Sequence, residues 1–146
     1  MKKLIIFELA NNHCGDVNFG LKIIEEFSKV ADNFRDIFDF AIKFQFRDLD
    51  TFIHPDYKNK IDLKYVKRFQ ESKLSEKEFW VLKDKSEKLG FKTICTGFDE
   101  KSVELINEMG FDYIKIASCS FLDWPLLNKI AEYNLPIIAS TAGIEL

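Results

Sequence analysis

Residues 91–141 read FKTICTGFDEKSVELINEMGFDYIKIASCSFLDWPLLNKIAEYNLPIIAST. Three short apolar runs, Phe91–Phe98, Tyr113–Ser118 and Pro136–Thr141, are parted by two longer stretches that mix charged and apolar residues at helical spacing. Asp99 to Met109 reads as a helix ended by Gly110. Trp124 to Tyr133 reads as another, with Asp123 as its N-cap and Pro125 in its first turn. Strand, helix, strand, helix, strand is the pattern of a parallel sheet, because parallel neighbours need a crossover and a helix usually supplies it. Parallel strands are buried on both faces, which suits the unbroken Pro136-Ile-Ile-Ala-Ser140.

The alternation extends towards the N-terminus. Ser75 to Leu89 reads as a helix, with Ser75 and Glu78 spaced as a capping box and Gly90 ending it. Phe40 to Phe46 reads as a strand. Val17 to Asp32 carries Leu21, Ile24, Phe27 and Val30 between charges and reads as a helix, with Leu21, Ile24 and Phe27 as a core stripe. Leu4 to Ala10 reads as the first strand. Between the second strand and the next helix, Asp48 to Lys73 is a long excursion with Thr51-Phe-Ile-His-Pro-Asp56 and a helical piece around Asp62 to Glu71. A long connection inside a compact domain is usually a lid or binding loop. The expected order is β-α-β-excursion-α-β-α-β-α-β. The sheet can close as a barrel or stay open and doubly wound; no Gly-rich dinucleotide fingerprint follows the first strand, which speaks against the Rossmann form of the latter.

Composition bounds the function. At 146 residues the chain suits one domain, and 15 Phe supply bulky core material. A net charge of -3 leaves no basic excess for general nucleic-acid or membrane-surface binding. Cys14, Cys95 and Cys119 form no CxxC pair, which points to a reducing, cytoplasmic setting, and they read as small buried hydrophobes. The opening apolar run stops at Glu8, too short for a signal peptide, and no stretch reaches the ~18 apolar residues of a membrane span.

The polar residues that interrupt these runs gather at strand C-terminal ends, where barrel enzymes place their chemistry. Glu8 is followed by Asn11, Asn12, His13, Gly15 and Asp16; Asp16 can cap the next helix and Gly15 can serve the turn. In Ala41-Ile-Lys-Phe-Gln-Phe46, alternation puts Ile42, Phe44 and Phe46 on one face and Lys43 and Gln45 on the other. A buried lysine needs an anion or loses its proton. Lys43 therefore expects either an ion pair with Glu8 or an anionic ligand. Lys115 repeats the pattern opposite Ile114 and Ile116. Two such lysines on separate strands point to a multiply charged anion, with two independent structural salt bridges as the alternative. Thr96 and Phe98 close the third strand; Ser118, Ser140 and Thr141 close the fourth and fifth, with hydroxyls suited to phosphate oxygens. Asp99 reads as a cap, and His54 and Asp56 as surface loop residues. His13 and His54 are the only histidines, and no complete metal site can be read from the chain.

Taken in order, Glu8-x-x-x-Asn12-His13-x-Gly15-Asp16, Lys43-Phe44-Gln45, Thr96-x-Phe98-Asp99, Lys115-Ile116-Ala117-Ser118 and Ser140-Thr141 resemble the barrel domain of the sialic acid (N-acetylneuraminate) synthase family over essentially the whole chain. The resemblance implies a (β/α)8 TIM barrel, of which residues 1–146 are an N-terminal portion with about the first five strands and four helices. It implies condensation of phosphoenolpyruvate with N-acetylmannosamine or a related amino-sugar aldehyde, giving a nonulosonic acid and phosphate. It also implies a homodimer and a divalent metal, Mn2+ or Mg2+, whose ligands lie in later strands and not in this chain. Carried over by position, Lys43, Thr96, Lys115 and Ser118 hold phosphoenolpyruvate, Glu8 is the catalytic acidic residue near the reacting carbons, and Gln45 faces the sugar. Phe98 counts with the substrate-binding residues, and Asn12 and His13 shape the first loop. The family often has Gly-Glu after the Lys-Ile-Ala-Ser run, where Cys119 and Ser120 stand here; Gly97 replaces a frequent proline and Ala142 a frequent glycine. The chain by itself is expected to lack synthase activity. The readings set against this one are a non-catalytic anion-binding or interaction module, a truncated inactive fragment, and a 3-deoxy-aldulosonate-phosphate synthase. Asn12-His13 and Lys-Ile-Ala-Ser speak against the last.

Overall fold

A computed structural model describes residues 2–143. The strands are β1 (Lys3–Glu8), β2 (Phe38–Phe46), β3 (Lys92–Gly97), β4 (Tyr113–Ile116) and β5 (Ile137–Ala139). The helices are α1 (Val17–Asp32), α2 (Leu49–Phe52), α3 (Lys64–Glu71), α4 (Glu76–Lys88), α5 (Glu100–Glu108) and α6 (Trp124–Ala131). Short 3-10 turns cover Pro55–Tyr57 and Ser118–Ser120. This is an α/β fold of five strands whose described pairings are all parallel. No helix among the described residues is long and apolar enough to cross a membrane.

The chain divides into two compact units. The first holds residues up to Phe44 together with Ile53–Thr93; the second holds Gln45–Phe52 together with residues from Ile94 onward. In the first unit β1 pairs with β2 in a register that sets Glu8 opposite Lys43. Phe7 is the centre of its aromatic core, stacked on Phe27 at 4.6 Å and on Phe40 at 5.5 Å, with Phe91 edge-on at 6.1 Å. Helices α1 and α4 pack together. Asp16 caps α1 by accepting from the Asn18 and Phe19 amides, and Ser75 and Glu78 form the expected capping box on α4. The buried face of α1 is Gly20, Ile24, Ser28 and Ala31, while Val30 is 53% exposed. A helix turns about 100° per residue, so strict three-residue steps from Leu21 drift around the cylinder and put Val30 on the far side.

In the second unit β3, β4 and β5 pair in chain order, with Thr96 opposite Lys115 and Lys115 opposite Ile138. Ile94, Cys95, Val103, Ile106, Ile114, Leu126 and Ile130 form its core, and α5 packs on α6. Asp99 and Asp123 cap α5 and α6 as expected. Cys95 is a buried hydrophobe, but Cys14 and Cys119 are exposed, against the sequence expectation. Both sit in the turns that follow strands, where the backbone leaves the core.

The expected strand Leu4–Ala10 ends at Glu8. The amides of Leu9 and Ala10 both reach the Lys43 carbonyl at 3.0 Å, and Ala10 has φ +42°. Two consecutive donors on one acceptor cannot continue a ladder, so the chain turns there.

Candidate functional site

The first unit places its polar groups at the ends of β1 and β2. The register brings the Lys43 Nζ to 2.6 Å from Glu8 Oε2, with the lysine side chain 13% exposed and the glutamate 47%. The ion-pair reading of Lys43 is thus what the structure holds. Glu8 keeps part of its side chain in water, whereas Lys43 is largely buried. The loop after Glu8 is tightly wound. Asn12 Nδ2 donates to the Glu8 carbonyl at 3.2 Å, and the amides of Asn12, Cys14 and Asp16 bond to the carbonyls of Leu9, Asn11 and His13. Ala10 and Cys14 are the two non-glycine residues with positive φ among those described. Such backbone is costly for residues with a Cβ and tends to collect at functional loops. Gly15, at φ +77°, lies so close to the end of α3 that a Cβ there would stand 2.3 Å from the Glu71 carbonyl oxygen. The excursion is therefore seated on the first loop.

His13 is fully buried in that loop. Its Nδ1 accepts from the Gly15 amide at 3.1 Å, its ring meets Phe79 edge-on, and its Nε2 has no hydrogen-bond partner among the described residues. Burial lowers its pKa below the usual 6.5, opposed by the Ala10 backbone and the Glu78 carboxylate. The folded state therefore takes up this proton at lower pH than the unfolded chain. Stability from this residue is intact above pH 6.5 and is lost as pH falls from there through the folded-state pKa. Urea unfolding at pH 7.5 and at pH 5 is expected to show this loss, and His13→Asn should flatten that part of it. An equal loss in the variant would locate the acid sensitivity elsewhere.

The second unit builds two polar clusters. At the ends of β4 and β5, Lys115 Nζ donates to Ser140 Oγ at 2.5 Å and to the Ile116 carbonyl at 2.8 Å. A hydroxyl that accepts from an ammonium keeps its own proton to donate, so this pair offers a cation and an O–H side by side, as an oxyanion needs. Ser118 is exposed in the turn that follows β4. Thr96 is buried, 2% exposed, opposite Lys115 in the ladder. The other cluster lies where β2 and β3 end. Arg47 Nη2 donates to Gln45 Oε1 at 3.1 Å, and its guanidinium carbon lies 3.8 Å from the Phe98 ring centroid and 5.8 Å from that of Phe52. The segment is tied down. The Asp48 amide donates to Asp99 Oδ2 at 2.8 Å, and Lys101 pairs with Asp48 at 3.0 Å.

Sequence reasoning overlooked Arg47. The signal was present, since Lys43, Gln45 and Arg47 continue one alternation along the chain. It also credited Asp99 with capping alone, whereas its second oxygen fastens the Asp48 amide. His54 and Asp56 are exposed, as expected of loop residues.

The NeuB family model matches residues 39–145. The N,N'-diacetyllegionaminic acid synthase of Campylobacter jejuni is 32% identical over 96% of this chain and 42% of its own length. A crystal structure from Chromobacterium violaceum ATCC 12472, of a protein provisionally named spore coat polysaccharide biosynthesis protein E, is 50% identical with a TM-score of 0.94. It covers 99% of this chain and 42% of that one. The N-acetylneuraminic acid synthetase of Leptospira borgpetersenii, solved with citrate, is 30% identical with a TM-score of 0.80, covering 99% of this chain and 46% of that one. The chain spans about two fifths of the length of the curated relatives it matches.

Proposed function

This chain belongs to the NeuB family, and on that premise we propose that it is the N-terminal portion of a TIM-barrel synthase that condenses phosphoenolpyruvate with an amino-sugar aldehyde. N-acetylmannosamine or a close derivative is the acceptor. Carbon 3 of the enol attacks the aldehyde carbon, and the new C–C bond leaves cationic character at carbon 2. Water adds at carbon 2, and the tetrahedral intermediate expels phosphate. What the protein supplies to such a reaction is positioning and charge compensation.

The observation that carries this reading is the Lys115–Ser140 pair, a cation and a hydroxyl joined at two strand ends. It suits the oxyanions of phosphoenolpyruvate, and the hydroxyls of Thr96 and Ser118 extend the donor set of the same unit. In the other unit Lys43 would meet an anionic group while Glu8, held against it, orients water or carries a proton. Asn12 and His13 hold the loop beside Glu8 in shape. Gln45 would contact the sugar, with Phe98 flanking it through Arg47. The resemblance places the ligands of its divalent metal in later strands, outside this chain. Among the described residues no three His, Cys, Asp or Glu side chains gather in a way that could hold an ion, and His13 already spends Nδ1 on Gly15. Three free cysteines suit a cytoplasmic setting, and the resemblance makes the complete protein a homodimer.

The test is phosphate release by the complete gene product from phosphoenolpyruvate and a panel of sugars. The panel contains N-acetylmannosamine, its 6-phosphate and a diacetamido analogue. Release that requires both substrates is expected with at least one of them. No release with any member of the panel, from a folded protein supplied with Mn2+ or Mg2+, would sink the proposal.

A further inference from the structure

We propose that Arg47 is a positioning residue that locks the Gln45 amide in one orientation, so that Gln45 presents its Nε2 hydrogens to the acceptor sugar. The inference rests on the reading of Gln45 as a sugar contact, and it goes beyond it by assigning the direction of that contact and the residue that sets it.

A glutamine amide offers an acceptor on one side and two donors on the other, and in water it turns freely between the two presentations. A guanidinium has donors only. Whatever part of the Gln45 amide faces Arg47 must therefore be its oxygen, and Arg47 Nη2 meets Gln45 Oε1 at 3.1 Å. That leaves the Nε2 hydrogens to face a ligand. The contact is charge-assisted, which makes it stronger than an amide could obtain from a neutral neighbour.

The clamp is itself immobilised. The guanidinium lies on the Phe98 ring at 3.8 Å, with Phe52 5.8 Å away and edge-on to Phe98. Such stacking suits a planar delocalised cation better than a compact ammonium. The backbone on either side is pinned, because the Phe98 amide donates to the Phe46 carbonyl at 3.3 Å and the Asp48 amide to Asp99 at 2.8 Å. Arg47 thus stands on a rigid platform next to the residue it orients. The group of the sugar that Gln45 recognises is then an oxygen acceptor: a hydroxyl, an acetamido carbonyl or the aldehyde oxygen.

The test has a readout that needs no substrate. In 15N–1H correlation spectra, Arg47→Met should move the Gln45 side-chain amide pair towards the position of a solvent-exposed glutamine, with the backbone signals of β3 and β4 in place. An unmoved pair overturns the clamp. In steady-state kinetics with the sugar of the panel that turns over, Arg47→Met should raise KM for that sugar about tenfold, the worth of one charge-assisted hydrogen bond. KM for phosphoenolpyruvate should stay unchanged, and Arg47→Lys should recover part of the loss. Gln45→Glu keeps the partner of Arg47 but removes the donor, and should lose the sugar as Gln45→Ala does. A parallel rise in both KM values would make Arg47 merely structural and overturn the inference. If Gln45→Ala weakens the sugar but Arg47→Met does not, the positioning role fails while the functional reading stands. If neither variant affects the sugar, it is the reading of Gln45 that fails.

Discussion

Lys115→Ala in the complete gene product is expected to weaken phosphoenolpyruvate binding by about one hundredfold. The ammonium is fixed by its bonds to Ser140 Oγ and the Ile116 carbonyl, so its direction is settled before a ligand arrives. A preorganised cation spends little rotamer entropy on binding. Hydrogen bonds to charged groups contribute roughly 1.5–3 kcal/mol each. Removal of the ammonium costs its own contact and loosens the serine hydroxyl beside it, so a loss of about 3 kcal/mol, near one hundredfold, follows. Calorimetric titration with phosphoenolpyruvate measures it directly, and Lys115→Met preserves the stem that packs in the strand. A thermal melt separates lost binding from lost folding. Unchanged affinity in a folded variant would remove Lys115 from the site.

The largest effect on stability should come from Gly15→Val. Two independent costs coincide at this residue. Its φ of +77° lies in the left-handed region, which a β-branched residue enters only with strain. A Cβ would also stand 2.3 Å from the Glu71 carbonyl oxygen, a backbone atom that cannot rotate away. Left-handed backbone costs about 1–2 kcal/mol and overpacking about 1–3 kcal/mol, so a loss near 3 kcal/mol or above is expected in urea unfolding. Gly110→Ala is the control. It shares a positive φ, +68°, but has nothing within 4 Å of the added carbon, so only the backbone cost of about 1 kcal/mol applies. Equal losses at the two positions would mean that the end of α3 does not press on the first loop. Because that loop carries Asn12 and His13, the same variant would disturb the surroundings of Glu8.

Features decided within a few residues were legible without coordinates. The Ser75–Glu78 capping box, the caps at Asp16, Asp99 and Asp123, and the extent of α1 all match expectation, because each depends on side chains within one turn of the backbone they serve. The alternation of strands and helices, and with it the α/β class, is a property of hydrophobic period and is equally local. Val30, outside the expected core stripe, is exposed because a three-residue repeat imitates the 3.6 period for only two or three steps.

The amino-acid order alone determined the element sequence, the family and the set of strand-end residues worth attention. The partner of each of those residues was decided by the tertiary structure. Glu8 and Lys43, or Lys115 and Ser140, meet only because strands far apart in the chain align in one particular register, and a slip of one residue would turn each side chain to the opposite face. The seat of α3 against Gly15 and the stacking of Arg47 on Phe98 likewise depend on chain returning from a distance. Local spacing holds no information on such meetings, since they are settled by the packing of whole elements and not by the neighbours of any one residue.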